Sequence, residues 1–544
     1  MQVACNDVGE LHCNAKPKGE GWNVTIGFIY KHKDRFFKFF YKLVLPILYD
    51  WSQANNQGTT TRLSGLLALE LLKRAELEKK FYLHNNIKEK VYEIIFLSCY
   101  EIQTELKAIF DMVIRNHLVE HNHPYNQFCS MILEKSYKSG RLIQLLPKVI
   151  ISLCELFWFE KNYKKSPYGG CSFGVENYYG LHDFHSNYFP ASAHQTPAWW
   201  LLNSKEFLAT IDFIISFTNE AVTNYAHSNS NLDNVIETKI TINGNNFSQF
   251  HSSALWMMYR GTGNPVTPYL LQSMHMALEK FLLGLAANFD KKIVENLLLR
   301  ILYESKSSSL TSVVCSIVLA YPHKFENIAL ILFSSRDFFH ADLSRWVAEN
   351  RAKSLYSIGS GLNQIKNLLY NDERLKTCED EYRKSNLENL CLRYQFEGIK
   401  DYSNEENTKF IQTIFDILDK HNSSFIDSEE DISKSILFAR MDRRKLKPEF
   451  VRDKNEIHFS TKLTEEQKLL SEASQLINND VYKYVGINLW SNLFRSDDYE
   501  GNKIYDENPL LALKEVKELI QDLKDNSSYE FALFNKTIPY KICA

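Results

Sequence analysis

The stretch HSSALWMMYRGTGNPVTPYLLQSMHMALEKFLLGLAANFDKKIVENLLLRILYESKSSSLTSVVCSIVLAYP, His251 to Pro322, decides how the 544-residue chain is built. Apolar residues recur at helical spacing on both sides of two breaks, Gly261 to Pro265 and Ser305 to Ser309. After Pro268, the residues Leu270, Leu271, Met274, Leu278, Phe281 and Leu282 form one broad stripe, wide enough to be buried against other helices. A third segment, Leu310 to Ala320, is apolar almost all round and stops at Tyr321-Pro322, which predicts a fully buried helix. Three consecutive helices that cannot hide their apolar faces alone predict a mainly α fold, an irregular α-solenoid of stacked helical pairs.

A chain of this length exceeds one ordinary core and predicts several domains or a continuous helical array. Hydrophobic residues at 44% and charged residues at 24% are globular values. The formal charge of -3 gives no electrostatic reason to expect nucleic acid or an anionic membrane as partner. The 35 Phe and 29 Tyr suit helix-pair cores or a protein-binding face. Ten cysteines without a CxxC spacing predict reduced, packed thiols in a cytoplasmic protein. The opening MQVACNDVGELHCNAKPKGEG lacks the apolar centre of a signal peptide. No apolar run, Val149 to Phe159 included, is long enough to cross a bilayer.

Four blocks follow along the chain. Residues 1–162 form an N-terminal helical block, irregular to about residue 24 and helical from Phe36. Within it Arg62 to Leu83 is amphipathic, and further helices cover Ile87 to Leu118 and Met131 to Phe159. Its beginning would suit an excised or truncated product. Residues 163–198, with Gly, Pro, Tyr and Phe in abundance, predict an ordered loop rather than a flexible linker. Residues 199–350 hold a central helical array. Inside it VIETKITI (Val235 to Ile242) alternates as a strand, turns at Asn243-Gly244 and pairs loosely with Phe247 to His251, a small β insertion near 235–251. Residues 351–544 form a C-terminal helical block. Ser403 with Glu406 and Thr464 with Gln467 are capping boxes, and Ser428 with Asp431 is a weaker one. Ile457 to Leu463 is a short strand. Asn508-Pro509 opens a helix whose Leu513, Val516, Ile520 and Leu523 share a face. The end, TIPYKICA, reads as cut short. No exact period is present, so any tetratricopeptide-like stacking is irregular.

Constellations that could carry chemistry are sparse. No GxxxxGK loop is present, and Gly359-Ser360-Gly361-Leu362 reads as a helix-ending turn. His182, Asp183, His185 and His194 are chemically able to ligate zinc, but their spacing on a loop matches no zincin pattern. His121 and His123 before Pro124 read as a polar turn. No GxSxG elbow is present, and Cys171 on its glycine turn reads as an ordinary thiol. ARMDRRKLKP (Ala439 to Pro448) reads as a solvated helix end. The expectation is therefore a chain with no catalytic residue, metal or cofactor of its own.

Several phrases resemble, as a group, the C-terminal helical region of large bacterial STAND-type ATP-binding proteins of the antiviral Avs family. They are YFPASAHQTPAWWLL (Tyr188 to Leu202), LWMMYRGTGNPVTPYLLQSMHMALEKFLL (Leu255 to Leu283), SLTSVVCSIVLAYPHK (Ser309 to Lys324), ILFSSRDFFHADLSRWV (Ile331 to Val347) and LFARMDRRK (Leu437 to Lys445). The resemblance spans roughly residues 160–450. It implies a sensor arm of tetratricopeptide-like repeats that binds a phage terminase large subunit or portal, after which the whole protein oligomerises. The effector and ATPase modules of that family are absent from this sequence, so no family catalytic residue carries over. Trp256, Tyr259 and Arg260 are the candidate partner contacts; the competing reading makes the two rings core and Arg260 a helix-end cap. The alternatives in function are a generic intracellular helical scaffold and a hydrolase using the His182 to His194 loop.

Overall fold

The computed structural model describes residues 3–5, 11–13, 18–77, 85–119, 123–159, 174–182, 188–228, 232–261, 266–357, 365–423, 429–451, 456–465, 467–469, 483–484, 486–487, 490, 505, 507–525 and 536–543. Two compact units, Met1–Asn407 and Thr408–Ala544, divide the chain. The fold is mainly α, with strands only as antiparallel pairs among the described residues.

Regular structure begins earlier in the first unit than the glycine-rich start suggests. β1 (Val3–Cys5) pairs with β2 (Leu11–Cys13), and α1 (Glu20–Lys31) precedes Phe36 by more than four turns. Trp22, Ile26 and Ile29 recur at i, i+4 and i+7 and are buried, which gives α1 a face to hide despite Gly21 and Gly27. Then follow α2 (Lys33–Phe39), α3 (Tyr41–Ala54), α4 (Thr59–Leu77), α5 (Asn85–Leu97), α6 (Gln103–Arg115), α7 (Pro124–Glu134), α8 (Ser136–Leu145) and α9 (Pro147–Trp158). His123 is more than a polar turn: its Nδ1 accepts from the Tyr125 N–H at 3.2 Å and caps α7.

The aromatic segment after α9 is ordered where it is described. Trp158 Nε1–H donates to the Tyr188 hydroxyl at 2.8 Å, and Tyr179 stacks on Tyr225 with centroids 4.3 Å apart. The Tyr179 hydroxyl donates to the Val266 carbonyl at 3.1 Å. Ser136 at the start of α8 donates to the His194 carbonyl at 3.1 Å. α8 also packs on α10 (Ala198–Leu202), where a Cβ at Gly140 would lie 2.7 Å from the Trp200 ring. These ties join the first three blocks of the sequence in one unit.

The centre of that unit follows the opening stretch. α11 (Phe207–His227) leads to β3 (Ile236–Ile242) and β4 (Asn245–His251), paired from Ile236 with His251 to Ile242 with Asn245. Asn243 and Gly244, at φ of 50° and 80°, supply the two left-handed residues of a tight hairpin. Next come α12 (Ser253–Trp256), α13 (Tyr269–Asn288), α14 (Lys291–Glu304), α15 (Ser308–Ala320), α16 (Glu326–Phe333), α17 (Arg336–Ser357), α18 (Ile365–Thr377) and α19 (Leu387–Glu397). Every residue of α15 from Ser308 to Leu319 is buried, with α12, α13, α14, α16 and β4 packed around it. Three of its hydroxyls are answered from those neighbours, Ser312 donates to the Ser309 carbonyl of its own helix, and the Ser308 hydroxyl is buried without a partner among the described residues. Thr311 donates to Gln249 Oε1 of β4 at 2.7 Å, and Ser316 donates to Glu279 of α13. Ser309 bonds His275 Nε2 of α13 at 2.9 Å.

α20 (Asn404–Ser423) opens on the expected capping box: the Ser403 N–H donates to Glu406 at 2.8 Å, and the Glu406 N–H donates to Ser403 Oγ at 3.3 Å. In the second unit α21 (Glu429–Arg440) ends inside the basic run. β5 (Leu446–Val451) follows and pairs with β6 (Glu456–Thr461). The run is thus a helix end, a turn and a strand rather than a solvated helix end. Arg444 within it lies between Asp442 and Asp419, over the Phe415 ring at 4.4 Å. Thr464 and Gln467 close a capping box. On α22 (Pro509–Asp525) the buried residues are Ala512, Val516 and Leu519, while Leu513 and Ile520 are exposed. The face is turned by about one residue from the expected one, because Ala512, Val516 and Leu519 join Tyr484, Tyr505 and Ile538 of α23 (Ile538–Cys543) in the unit's core. Ser428, Asp183, His185, Cys171, His121 and Gly359 to Leu362 lie outside the described residues.

Burial holds His275 neutral, down to about 4, and lowers His251 as well, with Asp337 opposing and His340 assisting. The Leu271 carbonyl can only accept, so His275 Nδ1 carries the proton and Nε2 accepts from Ser309. A folded-state value below the unfolded 6.5 gives stability that is complete above pH 6.5 and lost as pH falls towards 4. For His275 the loss is about 3 kcal/mol. Urea unfolding across that range should show the midpoint falling, and His275→Gln should flatten the fall while lowering stability at neutral pH.

Candidate functional site

α13 is buried on every side along its first half and opens to solvent along its second, from Lys280 onward. Two concavities flank that opening. Their shared wall is Lys280.

The larger is an apolar groove of about 630 Å³. Its floor is Phe281 and Leu285 of α13, with Val294 and Leu297 of α14. Trp199 and Leu202 of α10 and Phe207 and Leu208 of α11 form one wall, and Phe289 and Ile293 form the other. The Phe207 and Phe281 rings meet at 5.9 Å. Leu208, Phe289 and Ile293 are 49%, 53% and 62% exposed, so the groove keeps a lip of large apolar side chains in water. Single exposed apolar side chains are ordinary on a surface; three of them, Leu208, Phe289 and Ile293, lining one concavity are not. Gly284, exposed, also lines it, and an added Cβ there would meet nothing within 4 Å.

The smaller concavity, about 250 Å³, is charged. Arg383 pairs with Glu279 through Nη1 at 3.0 Å and Nη2 at 3.1 Å, and its Nε donates to Asp380 at 3.3 Å. Arg260 donates through Nε to Glu349 at 2.9 Å and through Nη1 to Thr377 at 3.0 Å. Burial alone would raise the Glu349 pKa, but Arg260 beside it brings the net shift below the usual carboxylate value. Behind them Arg345 holds Asp342 at 2.9 Å and the Ser385 carbonyl at 2.7 Å. Such pairs fix geometry more than they add stability.

Lys280 donates to Glu373 Oε1 at 3.1 Å and to His194 Nε2 at 3.1 Å, with its ammonium 5.3 Å from the Trp199 ring. Glu373 also accepts from Ser192 Oγ at 2.7 Å and from the Ala193 N–H at 3.3 Å. Burial raises the Glu373 pKa, and Lys280, Ser192 and His194 overcome it, so the carboxylate stays ionised. His194 is lowered by burial and by Lys280, against Glu373. Its Nε2 lone pair is taken up by an ammonium, an environment opposed to a second cation such as zinc. The backbone N–H of His182 donates to the Trp158 carbonyl at 3.0 Å. Among the described residues no three His, Cys, Asp or Glu side chains are grouped as a metal site. Ser192, whose hydroxyl donates to Glu373, is fully buried, which closes it to a substrate in this structure.

Trp256, Tyr259 and Arg260 are at 0%, 2% and 2% exposure, which withdraws all three from the surface of the unit. The two rings are core, as the competing reading had it. Arg260 is not a helix-end cap, however, but one half of the ion pair with Glu349. The groove's own residues were passed over because an apolar stripe carries no mark of which members stay exposed. One signal was available: Glu279 and Lys280 are the only charged residues in the 20 of α13. No known protein family and no curated protein matches this chain. Among the described residues no helix is long and apolar enough to cross a membrane.

Glycine substitutions should separate groove from core. Gly284→Ala should raise stability by about 0.5–1 kcal/mol, the ordinary gain inside a helix. Gly140→Ala should lower it, because the methyl meets the Trp200 ring; thermal melts give both signs. Glu279→Gln should destabilise by about 1–3 kcal/mol, since Arg383 loses its buried carboxylate and keeps only the half-exposed Asp380. Lys384→Gln, which breaks the exposed pair with Glu381, should cost under about 1 kcal/mol.

Proposed function

We propose that this chain is a protein-recognition arm that grips a folded partner and performs no chemistry itself. The observation that carries the reading is the open apolar groove between α10, α11, α13 and α14, lipped by Leu208, Phe289 and Ile293. Exposed anchors around a concavity, with polar Asn203, Ser204 and Asn288 at its edge, are the arrangement of a protein-binding hot spot. The resemblance of Tyr188 to Leu202 and Leu255 to Leu283 to Avs sensor regions supports the more specific form. In that form the chain is the sensor arm of a bacterial antiphage STAND protein, and its partner is a phage packaging or portal protein. Those two phrases supply Trp199, Leu202, Lys280 and Phe281 of the groove, and the rest comes from the residues that follow each phrase and from α11 and α14.

Co-expression with a phage terminase large subunit and, separately, a portal protein tests it. The expected result is a stoichiometric complex with one of them that Gly284→Trp abolishes, with the melting temperature kept. Binding of neither would return the chain to the class of generic helical scaffolds. A complex indifferent to Gly284→Trp would move the recognition surface off the groove.

A further inference from the structure

The first three helices carry an unusual surface. Phe28, Phe39, Phe40 and Leu43 are 56%, 64%, 45% and 47% exposed, and Val24, one turn before Phe28 on α1, is 71% exposed. The rings form one contiguous ladder: Phe28 to Phe36 at 6.0 Å, Phe36 to Phe40 at 6.5 Å, Phe40 to Phe39 at 6.2 Å. Cations stand among them. Lys31, Arg35, Lys38 and Lys42 are exposed and make no ion pair among the described residues, and the Lys38 ammonium lies 5.2 Å from the Phe39 ring. The charge of Asp34 is taken by Arg74 and that of Lys33 by Glu70. The whole-chain charge of -3 conceals a cluster of four unpaired cations beside exposed rings, with Glu20 and Asp50 at the far ends of α1 and α3.

We propose that the α1–α3 face docks on an anionic phospholipid surface, with Phe28, Phe39, Phe40 and Leu43 entering the boundary between headgroups and acyl chains and the four cations meeting the phosphates. Aromatic and aliphatic side chains ringed by lysine and arginine are the composition of interfacial helices, in which the long basic stems reach outward to the headgroups. Val24 and Leu43 favour lipid over single-stranded nucleic acid, because bases stack on rings and gain nothing from aliphatic side chains. Each cation close to an anionic membrane is worth about fivefold in binding, so four of them suffice for reversible attachment without a spanning helix. The surface belongs to α1–α3 and shares no residue with the groove, so failure of either proposal leaves the other standing.

Vesicle co-sedimentation of the full chain tests it, with phosphatidylcholine alone and with phosphatidylcholine containing phosphatidylglycerol. The expected result is binding to the anionic vesicles only, weakened by added salt. Lys38→Glu with Lys42→Glu should lose at least about 25-fold. Phe39→Ser with Phe40→Ser should lose binding at unchanged melting temperature, and Lys38→Arg with Lys42→Arg should keep it. Equal binding to neutral vesicles, tighter binding to a single-stranded oligonucleotide, sedimentation of a dimer that hides the patch, or variants that bind like the parent would each overturn the proposal.

Discussion

A helix hidden on every side constrains the rest of the first unit. α15 has no solvent face, so its neighbours must supply a surface around its whole circumference and partners for the buried hydroxyls of Ser309, Thr311 and Ser316. Burying its Leu, Ile and Val side chains stabilises the unit by roughly 1.5–3 kcal/mol each, an upper bound set by the reference state of the unfolded chain. Its hydroxyls choose the partners. Thr311 needs Gln249, which places β4; Ser309 needs His275, and Ser316 needs Glu279, which together set the rotation of α13. A helix of leucines alone could slide or turn in such a socket. This one cannot without leaving buried polar groups unpaired, at about 1–3 kcal/mol apiece.

The charged concavity is an extension of that requirement. Glu279 accepts from Ser316 on one side and faces Arg383 on the other, so an interior hydroxyl is connected through one carboxylate to a guanidinium at the cleft. Arg345, whose guanidinium donates to the Arg383 and Ser385 carbonyls, pins the turn that carries Arg383. The groove arises on the same helix from the opposite cause. Past Lys280 one side of α13 stays in the core through Leu282 and Ala286, while Phe281 and Leu285 on the other are covered only in part by the described residues. One helix thus carries a specified interior at one end and a vacant apolar surface at the other.

The amino-acid pattern disclosed some of this and hid the rest for physical reasons. The complete burial of Leu310 to Leu319 was legible because no polar face interrupts it. The hairpin was legible from strict alternation ending at Asn243-Gly244, and the two capping boxes from local side-chain chemistry. The β5 strand was not, since LKPEFV is short, contains a proline and follows a basic run. The face of α22 was misjudged by one position: Leu513 and Ile520 outweigh Ala512 in hydrophobicity, yet Ala512 is the residue buried in one cluster with Val516, Leu519 and Ile538. Trp256, Tyr259 and Arg260 looked like a binding triplet because aromatic and arginine residues are enriched both in interfaces and in buried polar cores. Only the partner Glu349, 89 residues away, decides between them.

Exposure is the quantity that periodicity does not encode. Ile293 and Val294 are adjacent and similar in sequence terms, and one is 62% exposed while the other is buried. The same blindness applies to charge: a total of -3 averages over the 13 residues from Lys31 to Leu43, which alone carry five lysines and arginines against one aspartate. A surface acts through what lies within a Debye length, about 8 Å at physiological salt, and not through the sum over a 544-residue chain. Asp34 sharpens the point, because its pairing with Arg74 removes the one acid of that stretch from the field a membrane would meet. Whole-chain composition therefore bounds solubility and class, while recognition is decided by a few side chains whose neighbours leave them uncovered.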